Sequence, residues 1–166
     1  MMLHRLSHRL RQFFGALRPQ LSTRARFDAY AWLDEPQRRI FESMMLRDQQ
    51  HGVVVYRRVR AAAGADDGRL FAAALLHDCG KGDVRLWQRV GHVVLGTVSP
   101  GLRARIPAER GAAWRQAFWR LQHHPEIGAR TVAAAGGDAD VVRMIREQDA
   151  PRADARLALL QAADEA

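Results

Sequence analysis

The chain has 166 residues, 48% of them hydrophobic, and carries a formal net charge of +8. That is enough for one domain with a proper core, and no run approaches the roughly 18 consecutive apolar residues that a membrane span needs. A single cysteine, Cys79, excludes an internal disulfide and a cysteine-rich zinc site, so any metal must be held by histidines and carboxylates.

Leu3, Leu6, Leu10, Phe13, Phe14 and Leu17 recur at helical spacing, with Arg5, Arg9, Arg11 and Arg18 between them. Residues 2–18 therefore read as a basic amphipathic helix ending near Pro19. The stretch lacks an apolar signal core and a small-residue cleavage site, so a cytoplasmic location is expected. Its basic face suits packing on the domain, or peripheral contact with an anionic membrane or RNA.

A helix is predicted from Thr23 to Leu33, and another, capped by Asp34 with Pro36 in its first turn, runs to about Met45. Residues 46–63 continue helically, with His51, Val54, Val55 and Arg58 on one face. A loop follows at Gly64–Gly68, and Asp67 caps a helix from Arg69 to Cys79. Beyond Gly82, the spacing of Val84, Leu86, Trp87, Val90, Val93 and Val94 predicts a helix weakened by Gly91 and Gly96 and closed before Pro100. A short helical piece at 101–105 leads to Pro107 and an aromatic-rich helix over 108–122. His123-His124-Pro125-Glu126 opens the next helix, with Pro in its first turn, and Gly136-Gly137 ends it. Asp138 starts a helix to about Gln148, and Ala153 begins the last. No segment alternates as a strand does, so the expected fold is all-α: a single compact bundle over 45–166, preceded by an N-terminal helical extension over 1–44.

The polar residues that interrupt this pattern carry the chemistry. The apolar run AALL ends on His77 and Asp78, then turns through Gly-Lys-Gly, and an ionised carboxylate at the end of a core helix requires a compensating charge. Of the 26 basic residues, Lys81 alone is a lysine, a compact ammonium that Arg does not replace where space is tight. His51 lies against the packed surface of Val54 and Val55, and Asp164 falls on the side of Leu157 and Leu160. Taken singly, each admits a bland reading, as a hydrogen-bonded core histidine or a carboxylate salt-bridged to arginine. Jointly they form a mixed N/O donor set suited to a six-coordinate divalent ion, Mn, Fe, Co, Ni or Mg, with positions left for water and substrate.

His51, then His77-Asp78 within LLHDCGK, then Asp164 within LLQAADEA resembles the H…HD…D signature of the HD-domain superfamily of metal-dependent phosphohydrolases. The resemblance runs from about residue 45 to the end, with Cys79 where isoleucine is usual. It implies that His51, His77, Asp78 and Asp164 ligate one metal, that Asp78 helps position the attacking water, and that Lys81 contacts substrate phosphate. In relatives with two metals, further histidines follow the HD pair. His124 in HHPEIGA matches the first, with His123 as its substitute, while the second position falls at Gln148, a poor ligand by comparison. His124 then has two other tasks open to it, contact with phosphate or proton donation to the leaving oxygen. The pair also reads simply as the end of one helix and the cap of the next, and Glu126 as a first-turn carboxylate or a site residue.

The expected activity is hydrolysis of a phosphate ester or anhydride in a small anionic substrate, a nucleotide, with Lys81, Arg58 and Arg85 as its cationic contacts. The alternative is a non-catalytic nucleotide-binding or regulatory module, favoured by Gln148. Trp87, Trp114, Phe118 and Trp119 read either as a stacking surface for a base or as core.

Overall fold

The computed structural model describes residues 20–99, 101, 105–150 and 154–166. Those residues are helical and contain no strand, so the protein is an all-α bundle. The predicted helix over 2–18 and the piece at 101–105 lie largely or wholly outside the described residues.

Helix α1 (Thr23–Tyr30) is capped by the Ser22 hydroxyl, which accepts from Ala25 N at 3.2 Å. It stops at Tyr30 rather than Leu33 because Arg38 takes over its terminal carbonyls, donating to Tyr30 O and Leu33 O at 2.9 Å each. Helix α2 (Glu35–Ser43) carries the capping box that Asp34 and Gln37 predict, with Pro36 in its first turn. Helix α3 (Leu46–Ala62) buries Gly52, Val53, Val55, Tyr56 and Val59. Its inward face is rotated from the predicted one, since Val54 is exposed.

Helix α4 (Gly68–Leu76), capped by Asp67, is the hydrophobic centre: every residue from Leu70 to Leu76 is buried. It ends before the predicted Cys79, because His77 and Asp78 lead into a tight 3-10 turn, Cys79–Lys81. Gly82 follows at φ 61°, a left-handed conformation that favours glycine. Helices α5 (Leu86–Val98), α6 (Ala113–Ala134), α7 (Ala139–Arg146) and α8 (Ala155–Glu165) complete the chain.

Helix α6 corrects the predicted break at 122/123, being one continuous helix with Pro125 inside it. Proline there has no N–H to give Leu121 O, its partner one turn back. The His124 Nδ1 atom, 3.0 Å away, donates to that carbonyl instead. His123 and His124 therefore neither end nor cap a helix.

Ala25, Ala29, Leu33, Phe41 and Met44 lie in the same buried cluster as α3, α4, α6, α7 and α8. Two glycines set the closest approaches within it. A Cβ on Gly52 would stand 2.6 Å from Leu75 O of α4, and one on Gly80 would stand 2.6 Å from Gly128 N and collide with His124 O of α6. Gly80→Ala should therefore cost about 2 kcal/mol or more through overpacking, lowering Tm by at least roughly 4–8 °C. Gly101→Ala, where a Cβ would meet nothing within 4 Å, should leave the thermal transition measured by circular dichroism nearly unchanged.

Candidate metal centre

The chain end of α4 delivers two polar side chains into a buried space. His77 and Asp78 are each only 2% exposed at the side chain. His77 Nδ1 lies 2.9 Å from Ala74 O, a carbonyl that can only accept, so the proton sits on Nδ1 and the Nε2 lone pair faces inward. His124 is fixed in the same way by Leu121 O. Both imidazoles thus present Nε2 to Asp78 Oδ1, at 3.4 Å from His77 and 3.6 Å from His124.

The other two predicted ligands arrive from α3 and α8. His51 Nε2 is 2.7 Å from Asp164 Oδ1 and 3.9 Å from Asp78 Oδ2, and His77 Nε2 is 3.4 Å from Asp164 Oδ1. The structure thus brings His51, His77, Asp78 and Asp164 together. One donor atom from each of His51, His77 and Asp78 lies within 4.8 Å of the others. Bonds of about 2.1 Å to one octahedral ion place neighbouring donors about 3 Å apart and opposite ones about 4.2 Å apart, so these spacings fit a single cation after small adjustments.

The electrostatics point the same way. His77 Nε2 and Asp78 Oδ1 are buried without a hydrogen-bond partner, a costly arrangement for a lone pair and a carboxylate oxygen. Burial by itself would raise the Asp78 carboxyl. The neighbouring His77, Lys81, His51 and His124 side chains outweigh it and hold the group far below the usual carboxylate range. Asp164 is likewise pulled down against its burial, by the hydrogen bond with His51 and by the nearby His77 ring. Burial disfavours charge on His77, yet the Asp78 and Asp164 carboxylates raise its affinity for a proton.

The remaining predicted residues fall into different places. Lys81 Nζ is 2.6 Å from Asp78 Oδ2, inside the cluster. Arg58 donates to Ala163 O at 2.9 Å and so ties the last turn of α8, which carries Asp164, to α3. Arg85 is exposed at the start of α5. His123 is exposed and stacks on Trp119 with ring centroids 4.8 Å apart, which leaves His124 as the histidine of the pair that meets Asp78. Glu126 pairs with Arg146 at 2.9 Å and Arg130 at 3.7 Å, outside the cluster. Gln148 is buried and spends its amide N–H groups on His77 O and Ile145 O, at 3.0 and 2.9 Å, fixing the backbone of a ligand-type residue from behind. Phe118 is core, whereas Trp87 and Trp114 are exposed. A cavity of about 170 Å³ bordered by His77, Gln148, Asp149, Leu160 and Asp164 adjoins the cluster.

One residue was not anticipated. Arg120 lies a turn before His124 on the same face of α6, and its Nη1 is 2.9 Å from where a Cβ on Gly82 would stand, beside the Lys81 turn. Its relation to His124 becomes legible only once α6 is continuous.

Comparison with protein-family models, curated proteins and solved structures finds no match.

A divalent ion at 100 times its Kd should stabilise the fold by about 2.7 kcal/mol, raising Tm by roughly 5–10 °C in differential scanning fluorimetry. Asp164→Asn should abolish that rise, with a modest fall of the metal-free transition from loss of the ionised Asp164–His51 contact. Burial, reinforced by the Asp78 charge, pushes the Cys79 thiol up to about 12. It should therefore resist thiol reagents at pH 8 in the folded protein and react only in denaturant.

Proposed function

We propose that this chain is a metal-dependent phosphohydrolase acting on a phosphate ester or anhydride, with nucleotides as the substrate class implied by its resemblance to HD-domain enzymes. What supports the reading is the pair of buried, unpartnered atoms His77 Nε2 and Asp78 Oδ1, 3.4 Å apart, with His51 and Asp164 converging on the same point. A cation satisfies both atoms at once, which no apolar packing does. His51, His77, Asp78 and Asp164 would hold it. Bound there, a divalent ion supplies Lewis-acid chemistry: activation of water near neutral pH and neutralisation of charge on a phosphoryl oxygen.

The chain's own side chains do the rest. Asp78 has one oxygen toward the imidazoles and the other on Lys81, so it orients the ammonium at the edge of the cluster. From there Lys81 can turn to a substrate phosphate, with Arg120 flanking it across Gly82. His124 keeps its Nδ1 proton on Leu121 O, so any proton it takes or gives moves at Nε2. Burial, followed by the Lys81 charge, lowers its pKa, which favours the neutral ring. In that form it accepts a proton from the attacking water before it can donate one to a leaving oxygen.

A second reading, a binding module without turnover, draws on Gln148, which stands where two-metal relatives of the resembled family carry histidine. One experiment separates the two: the purified protein is assayed with Mn, Co, Ni and Mg against a panel of nucleotides and phosphate esters. Metal-dependent release of phosphate, reduced at least about a thousandfold in Asp78→Asn, is expected; a thermal shift with metal but no turnover of any panel member would favour the binding module. For a substrate that is turned over, Arg120→Ala should raise KM by about tenfold, equivalent to about 1.4 kcal/mol of lost phosphate contact, with a smaller change in kcat.

A further inference from the structure

Arg47, in the first turn of α3, is a cation in an unfavourable place. Its Nε and Nη1 atoms are buried without a hydrogen-bond partner, although the residue as a whole keeps partial exposure. The carboxylate next to it in sequence, Asp48, is already spent, because both its oxygens pair with Arg89, at 2.7 and 2.8 Å. Arg89 is thus a second positive charge in the same neighbourhood. Burial, and after it the charge of Arg89, push the Arg47 guanidinium below its ordinary pKa, with Asp48 opposing them. The helix adds to the cost, since a cation in a first turn faces the positive end of the backbone dipole. A guanidinium buried without a partner destabilises a fold, and Met or Gln would fill much of its space without the charge. The reasoning that reads a cation from His77 Nε2 and Asp78 Oδ1 therefore reads an anion from Arg47.

Position says which anion. Arg47 precedes His51 by one helical turn and lies beside it on the same side of α3. His51 is at the rim of the candidate metal centre, 2.7 Å from Asp164. Arg89 donates to Val84 O at 3.3 Å, in the segment just after Gly82, where Lys81 and Arg120 meet. Arg47 therefore approaches the centre from α3, while Lys81 and Arg120 approach it from the turn and from α6. A planar guanidinium fork suits phosphate oxygens, and its partial exposure lets it turn outward to them.

We propose, resting on the hydrolase reading for the identity of the anion, that Arg47 binds a second phosphate group of the substrate. The centre then takes compounds with two phosphate groups in preference to monophosphates. The test is thermal unfolding of the metal-free, full-length protein in low-salt buffer. Methylenediphosphonate, a diphosphate mimic that resists hydrolysis, is compared with orthophosphate at the same concentration. Saturating diphosphonate should raise the wild-type Tm by roughly 5 °C, and orthophosphate by less than half as much. At least one of the neutral variants R47M and R47Q should unfold roughly 2–4 °C above the wild type when no anion is added, because an unpaired charge is gone. Both should lose most of the response to diphosphonate, whereas R24M, at an exposed arginine of α1, should keep it.

The proposal is overturned if neither variant unfolds above the wild type, if either keeps the full diphosphonate response, or if the wild type responds to orthophosphate as strongly as to diphosphonate or to neither. Turnover separates it from the hydrolase reading. A diphosphate hydrolysed with unchanged KM in R47M would overturn the role of Arg47 and leave the hydrolase standing. A diphosphonate response lost in R47M, with no turnover of any substrate, would uphold the diphosphate site and remove the hydrolase reading alone.

Discussion

The Asp78 carboxylate, 2% exposed at the end of the most buried helix, is the charge around which the bundle is arranged. An ion in that position is tolerated only with strong compensation, and here it comes from every side: Lys81 on one oxygen, and His77, His124 and His51 around the two. These groups belong to α3, α4, the turn after it and α6. The helices that must pack to bury the apolar residues of α4 are the ones that bring the side chains around Asp78. Packing and electrostatics therefore select the same arrangement.

The convergence depends on backbone contacts that side chains would obstruct. Gly52 lets α3 close onto the carbonyl of Leu75, which brings His51 to the mouth of α4. Gly80 lets the Cys79–Lys81 turn press against α6 at His124 and Gly128. Pro125 then acts through what it lacks. By leaving Leu121 O without its helical N–H, it frees an acceptor for His124 Nδ1, and the ring is held with Nε2 toward Asp78. A helix defect thus becomes a means of orienting a histidine.

Much of this was legible in the sequence, for identifiable reasons. Caps are local, so Asp34, Asp67 and Asp138 marked their helix starts correctly. The His77-Asp78 step was legible because it violates the apolar pattern before it. The break placed at His123 failed because proline in a helix reads as a start when its local compensation, His124 to Leu121 O, is invisible in one dimension. That error hid Arg120. Arg58 lay on the anticipated face, but whether an arginine points to a ligand or to a carbonyl such as Ala163 O depends on where another helix ends. The Val54 error is of the same kind: helical periodicity fixes spacing, while the direction of the buried face is fixed by the neighbours.

The four ligand-type residues are not equivalent in burial, and the difference has a mechanical consequence. His77 and Asp78 sit at the rigid centre, braced behind by the Gln148 amide, whereas His51 and Asp164 are 35 and 42% exposed at the side chain and form the rim. Asp164 is held there by the His51 contact and, through the backbone, by Arg58 on Ala163 O, one residue before it. The carboxylate most exposed to solvent thus depends on a clamp that α3 itself provides, and α3 also carries His51. Any displacement of α8 from α3 moves one ligand-type side chain away from the other three, so the integrity of the rim, more than that of the buried pair, sets whether four groups or three face a common point.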